Sequence, residues 1–257
     1  MGENNQNKED WVKNEYNLLF KAKRSQSFIE IYRKVYGDEF PEELEPNSFV
    51  TRPDLLNFVR FLKVEPNETI IDVGCGRGGP GMWIAREIGA NYFGFDLSEI
   101  GIEVATSRAK DFGLEGRSQF KVGDICATTF PDNYFDAAIS IDVLLFIPDV
   151  SSAISEVSRI LRSNALFVFT TWEKKRPSKL NDYRLFLRNA GFKIDFYDET
   201  PDWERRQCEY YQLVLDNKDI LIKDMGREES RPIIMEAKLY LPVMKYFRRI
   251  LVVAKKI

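Results

Sequence analysis

The feature that most constrains the fold is residues 70–81, IIDVGCGRGGPG, where a β-branched apolar run carries one acid and then breaks into glycines. Ile70, Ile71 and Val73 suit a buried strand. Gly74, Gly76, Gly78 and Gly79 let the backbone turn tightly and approach a ligand with no Cβ in the way. Pro80 suits the first helical position, and Met82, Trp83, Ile84 and Ile88 follow at roughly helical spacing. The pattern predicts strand, glycine turn and helix, with free amides at the helix start facing a ligand.

Gly74, Gly76 and Gly79 also satisfy the GxGxxG spacing of dinucleotide-binding folds, so other residues must discriminate. Asp72, inside the end of the first strand, is foreign to that spacing and can hold a cationic amino acid moiety through the loop backbone or water. Residues 92–98, YFGFDLS, read as a second strand ending in Asp96, about 20 residues beyond the glycines, where an acid can accept ribose hydroxyls. Residues 120–125, FKVGDI, read as a third strand ending in Gly-Asp-Ile, where Asp124 could accept an adenine amino group. One aspartate at a strand end is often only a cap or a turn former. Three of them at three successive strand ends point to one crevice.

With these motifs the chain resembles a class I S-adenosylmethionine-dependent methyltransferase, over about residues 67–197 plus the last strand. The resemblance implies that Gly74, Gly76 and Gly78 pass beneath the methionine part of the cofactor, and that Asp96 holds the ribose. It implies that Leu97 packs on the adenine, that Asp124 and Ile125 read its edge, and that Ile141 at the end of the fourth strand belongs to the same site. The stretch FPDNYFDAAISIDVLLFIPD, followed by SEVSRIL at 155–161, is similar to the fourth strand and next helix of the small-molecule branch. Relatives often carry histidine just after that strand. Here Leu145 and Phe146 stand there, and the chain has no histidine.

Composition narrows the partners. A net charge of -3 and a pI near 5.4 give no general attraction to polyanions, so no nucleic acid is expected. The fourth strand is followed by SIDVLLF, not the Asn/Asp-Pro-Pro-aromatic motif of many enzymes that methylate amino groups of bases, which also disfavours nucleic-acid amines. Cys75, Cys126 and Cys208 are odd in number and lack metal-type spacing, so a reducing cytoplasm is the simplest home and no metal is expected. The polar, acidic start MGENNQNKED leads us to expect no signal peptide, and Asp136, Asp142 and Asp149 interrupt the most apolar region, so no membrane span is expected. The basic runs 21–24 and 174–176 and the pairs Arg248-Arg249 and Lys255-Lys256 are read as facing water.

The expected fold is α/β: a doubly wound, mostly parallel, seven-stranded Rossmann-like sheet with N-terminal helices and a helical lid inserted between strands six and seven. Residues 1–10 are expected to be disordered, 11–65 to form a helical cap, and 66–198 the cofactor-binding core. Residues 199–247 would be the lid and 248–257 the last strand. The fifth strand is expected at 167–171, a helix at 180–190 stopped by Gly191, and strands six and seven at 192–197 and 249–254.

Aromatic residues of the insertion, among them Trp203, Tyr210, Tyr211, Tyr240 and Tyr246, are expected to form lid core and in part to enclose a flat, apolar or cationic small-molecule acceptor. The acids Glu173, Asp198, Glu199, Asp202 and Glu204 are read as a solvated rim. A sulfonium already carries an activated methyl group, so in-line attack by O, N or C needs mainly alignment and exclusion of water. Where the acceptor must lose a proton, the candidate bases are Asp142, Glu173, Tyr183 and Tyr197, with Asp142 preferred. A nicotinamide-dependent oxidoreductase would share the glycine loop but leave Asp72 and Asp124 unexplained. A silent cofactor-binding scaffold or sensor would keep the whole site. Either a monomer or a homodimer is expected.

Overall fold

The computed structural model describes residues 13–21, 25–45, 48–176 and 182–257. The expected disorder at 1–10, basic residues 22–24 and the start of the helix expected at 180 lie outside them. Helices at 13–21 (α1), Gln26–Tyr36 (α2) and Arg52–Leu62 (α3) precede the sheet. Strand, glycine turn and helix then follow as the sequence predicts: β1 at Thr69–Val73 and α4 at Gly79–Ile88. The core continues through β2 (Asn91–Asp96), α5 (Glu99–Arg108), β3 (Ser118–Val122), β4 (Phe135–Ile141) and α6 (Val150–Ile160). After β5 (Leu161–Lys174), α7 (Tyr183–Asn189) and β6 (Phe192–Glu199), the helices α8 (Trp203–Asp216), α9 (Lys218–Met225) and α10 (Arg227–Tyr240) intervene before β7 (Phe247–Lys256).

The seven strands form one sheet in the order β3-β2-β1-β4-β5-β7-β6. The first five are mutually parallel, whereas β7 runs antiparallel to both β5 and β6. The chain winds outward from β1 to β3 and then returns to β4 on the other side of β1. The crevice beyond the carboxyl ends of β1 and β4 is therefore the switch point at which such sheets bind ligands. β5 is longer than predicted because its antiparallel ladder with β7 runs from Leu166↔Lys255 to Lys174↔Phe247. β3 stops at Val122, so Gly123, Asp124 and Ile125 lie in the loop that follows it.

Alternation along the strands divides the core in two. Ile71, Phe93, Phe95, Phe167, Phe169 and Val252 pack on one face with α6 and α7. Ile70, Tyr92, Ile139, Val168, Leu251 and Val253 pack on the other with α3, α4 and α5. A third core lies beyond the sheet. Phe28, Ile31 and Tyr32 of α2 meet Tyr210, Tyr211 and Val214 of α8 and Ile233 and Ala237 of α10, so the N-terminal helices and the insertion share one apolar interior.

Candidate functional site

The glycine loop turns in three left-handed steps, with φ of 83° at Gly74, 50° at Gly76 and 77° at Gly78, a conformation that costs glycine little and other residues more. Space forbids side chains here as well. A Cβ on Gly74 would come within 2.5 Å of the Val143 methyls, and one on Gly79 within 2.4 Å of the Leu44 carbonyl oxygen. Hydrogen bonds fix the curve: Gly74 N–H donates to Phe95 O at 2.7 Å and Gly76 N–H to Asp96 Oδ2 at 2.7 Å. The Arg108 guanidinium ties the outer wall by donating to Arg77 O at 3.1 Å and Leu44 O at 2.9 Å.

Asp72, Gly74, Gly76, Gly78, Asp96, Leu97, Asp124, Ile125 and Ile141 all line one cavity of about 180 Å³. The acids differ in setting. Asp72 is buried, accepts the Tyr92 hydroxyl at 2.8 Å, and is pushed up to about 7 by burial, against which the tyrosine hydrogen bond works. Burial also raises Asp96, opposed by the N–H groups of Ser98 and Gly76. Asp124 is exposed, and its Oδ1 accepts the Cys126 N–H at 2.8 Å.

Tyr16 and Phe20 of α1 also line this cavity, with Tyr16 edge-on to Phe146 at 5.3 Å between ring centroids. A second cavity of about 480 Å³ adjoins it. Tyr16, Ser48, Asp142, Phe146, Ile147 and Pro148 line both. The Ser48 hydroxyl on that common wall is buried without a hydrogen-bond partner among the described residues. Beyond it the second cavity is walled by Phe49, Trp172, Tyr183, Tyr211, Tyr240 and Met244, contributed by the sheet, the loops and the insertion.

The expected bases fare differently. Asp142 stands between the cavities, in the left-handed region at φ 58°, which aspartate tolerates better than most residues. Its carboxylate is already engaged: Arg249 Nε donates to Oδ1 at 2.9 Å, Arg249 Nη2 to Oδ2 at 3.1 Å, and the Phe49 N–H to Oδ2 at 3.3 Å. That makes it a structural partner of Arg249 rather than a free base. Tyr183 lines the second cavity, but its hydroxyl meets Thr171 Oγ1 at 3.2 Å and burial pushes it up to about 12. Tyr197 lines neither cavity. It donates to Glu173 Oε2 at 2.5 Å beneath the Arg184 guanidinium, and burial, reinforced by Glu173, raises it further.

Two further expectations are corrected. Arg249 does not face water. It is 2% exposed and also donates through Nη1 to Asp54 Oδ2 at 2.9 Å, an acid that closes the capping box of α3. Glu173 is not a solvated rim acid but is buried against Tyr197 and Arg248, whose Nε donates to it at 2.7 Å. Sequence reasoning also missed Glu236 of α10. It lines the second cavity, accepts the Tyr211 hydroxyl at 2.9 Å, and is pushed up to about 7 by burial, with the Tyr211 bond opposing and the Asp142 charge adding. An acid on an amphipathic helix carries no signal that separates this position from a solvated one.

Sheet order, glycine loop and acid-lined crevice define a Rossmann-like fold of the methyltransferase type. Residues 71–169 match the family described as a methyltransferase domain. The chain is 36% identical over 124 residues to squalene methyltransferase 1 of Botryococcus braunii, covering 48% of this chain and 33% of that one. It spans between 33% and 40% of the length of that relative and the next curated ones. Among solved structures, the [4+2]-cyclase SpnF superposes with a TM-score of 0.72 at 20% identity, covering 95% of this chain and 94% of that one. The phosphoethanolamine N-methyltransferase 2 of Haemonchus contortus, in complex with phosphomonomethylethanolamine and S-adenosylhomocysteine, superposes at 0.69 with 21% identity, covering 89% and 57%. Residues 71–169 thus resemble a methyltransferase domain, and the curated relatives matched are named as methyltransferases of squalene, sterol and tocopherol. The Haemonchus contortus enzyme is also solved in complex with S-adenosyl-L-methionine.

Proposed function

We propose that the protein transfers the methyl group of S-adenosylmethionine to an O, N or C atom of a small molecule enclosed in the second cavity. The observation that carries this reading is the common wall at Tyr16, Ser48, Asp142 and Phe146, which lets a donor in the first cavity face an acceptor in the second. The first cavity suits the cofactor. Its glycines leave backbone where a Cβ would collide, Asp96 offers a half-buried carboxylate to the ribose, and Asp124 and Ile125 border the place for the adenine edge. Leu97 and Ile141 supply apolar surface for the ring, and Asp72 supplies negative charge toward the amino group. When bound, the sulfonium supplies an activated methyl group. The chain contributes alignment and exclusion of water, for which Tyr16 and Phe20 of α1 and the insertion helices α8–α10, read as a lid, are placed.

A second reading keeps the cofactor without methyl transfer. The likeness to a cyclase over nearly the whole of both chains favours it, because the same architecture there has a different printed activity. From three cysteines, odd in number and without metal-type spacing, we place the protein in a reducing cytoplasm, and we propose a monomer or homodimer with neither nucleic acid nor membrane as partner. Among the described residues no helix is long and apolar enough to cross a membrane, and no cluster of His, Cys, Asp or Glu could hold a metal.

Calorimetric titration with S-adenosylmethionine and its demethylated product tests the cofactor site. Micromolar binding is expected, with a loss of about tenfold or more in Asp96→Ala, since that carboxylate also anchors the Gly76 amide. Absence of binding would overturn the reading and turn attention to nicotinamide cofactors. Release of the demethylated cofactor across a panel of acceptors then separates enzyme from silent scaffold.

A further inference from the structure

The walls of the second cavity carry an unbalanced charge. Asp142, Asp149, Glu173 and Glu236 line it, against the single exposed lysine Lys174. Three of the acids are committed elsewhere. Asp142 is paired with Arg249, Glu173 with Arg248, and Asp149 caps α6 by accepting the Ser152 N–H at 2.9 Å. Glu236 has no cation within ion-pairing distance among the described residues, and only the Tyr211 hydroxyl satisfies it, at 2.9 Å. The same cavity is lined by aromatic rings whose faces carry negative potential: Tyr16, Phe49, Trp172, Tyr211 and Tyr240. A half-buried carboxylate that lacks a cation among the described residues, in a cavity walled by such rings, is complementary to an organic cation.

We propose that the acceptor is an organic amine, held as its ammonium form between Glu236 and the aromatic wall, and that Glu236 takes the proton that must leave before methylation. The inference rests on the methyltransferase reading above. The ammonium N–H bond breaks and its proton passes to a Glu236 oxygen. The freed lone pair forms the new N–C bond, and the electron pair of the C–S bond stays on sulfur. The overall positive charge then resides on the methylated ammonium, beside a neutral thioether and a neutral Glu236. The Ser48 hydroxyl, buried on the common wall and free of partners among the described residues, is placed to accept a second N–H.

Several titratable and charged groups face Glu236. They are Tyr210 and Tyr211 of α8, Tyr240 of α10, Tyr16 of α1, and the Asp142 carboxylate with its partner Arg249. Burial pushes Glu236 up to about 7, so the empty cavity is most negative above that pH.

The test uses protein saturated with S-adenosylhomocysteine and two probes of matched shape, benzyltrimethylammonium and the uncharged neopentylbenzene, each titrated calorimetrically between about pH 6 and about pH 8. We expect the cation to bind about tenfold or more tighter than its isostere at the upper pH, with the preference shrinking toward the lower. Glu236→Gln should cut the preference several-fold, to the smaller share that the aromatic wall supplies, and remove its pH dependence, with S-adenosylhomocysteine affinity unchanged, which also reports that the variant folds. Tyr211→Phe keeps the cavity shape but removes the hydrogen bond to the carboxylate, so its preference should appear only at higher pH than in the wild type. Equal binding of the two probes, or binding of neither, with S-adenosylhomocysteine bound, overturns the amine inference alone. If S-adenosylhomocysteine itself does not bind, the methyltransferase reading fails and the inference with it.

Discussion

Replacing Arg249 with methionine is the sharpest test of how the site is held. The guanidinium is 2% exposed and bridges Asp142 to Asp54, themselves 8% and 5% exposed, so it joins the wall between the cavities to the first turn of α3. Burial alone would lower its proton affinity, but the carboxylates of Asp142 and Asp54 more than offset this and hold it charged. Methionine fills similar volume but leaves two buried carboxylates facing each other with no cation. Breaking a buried pair from one side costs about 3–5 kcal/mol, because an uncompensated charge remains. For a chain of this size that corresponds to a fall in Tm of about 6–20 °C. Urea denaturation followed by tryptophan fluorescence, with calorimetry for Tm, measures the loss. The combined variant Asp54→Asn, Asp142→Asn, Arg249→Met removes the charges together and should recover at least half of it, whereas Arg249→Lys, which keeps charge but not the fork, should fall between. A loss in Arg249→Met of about 1 kcal/mol or less, or a triple variant no more stable than the single one, would refute a structural role for this network.

Other outcomes follow from the cofactor cavity. Asp72, pushed up to about 7, holds its proton in the folded chain at pH values where the unfolded chain has released it. The stability it confers is therefore present below its unfolded value and is lost as pH rises to about 7, by about 4 kcal/mol at most. Denaturation midpoints of wild type and Asp72→Asn compared at low and neutral pH check this, since the variant should lack that component. A cationic amino group beside Asp72 favours its charged form, so S-adenosylmethionine affinity should rise with pH up to about 7 in the wild type and stay flatter in Asp72→Asn, as read by calorimetry in buffers of matched ionic strength. Gly81→Ala should destabilise by about 2 kcal/mol or more, because its Cβ would fall 2.0 Å from Asp72 Oδ2 and 2.9 Å from the Tyr92 ring. A Gly81→Ala protein as stable as wild type would mean that Asp72 can move aside freely.

Local pattern made most of the cofactor cavity legible. The glycines after β1, and the acids at or just past the ends of β1, β2 and β3, mark strand ends, and a parallel sheet brings its strand ends to one edge. Nothing in the order of residues said whether Asp142 would be free or paired. Its partner Arg249 is 107 positions away, and Asp54 is 195 positions from that arginine. The same reading placed Arg249 in solvent because a charged pair at a strand end usually faces water, and here the antiparallel entry of β7 between β5 and β6 turns it inward.

By itself, then, the sequence determined the strand–turn–helix units, their order along the chain, and the chemistry of the crevice at their ends. These depend on residues a few positions apart, through side-chain period and the backbone freedom of glycine. Tertiary structure alone decided that α1 closes over the crevice and that α2 and the insertion share one core. It also decided which acids of the second cavity meet a cation and which, like Glu236, do not among the described residues. Pairing across the sheet and packing between distant helices set the distances between charges, and those distances fix whether a carboxylate serves as strut or as site.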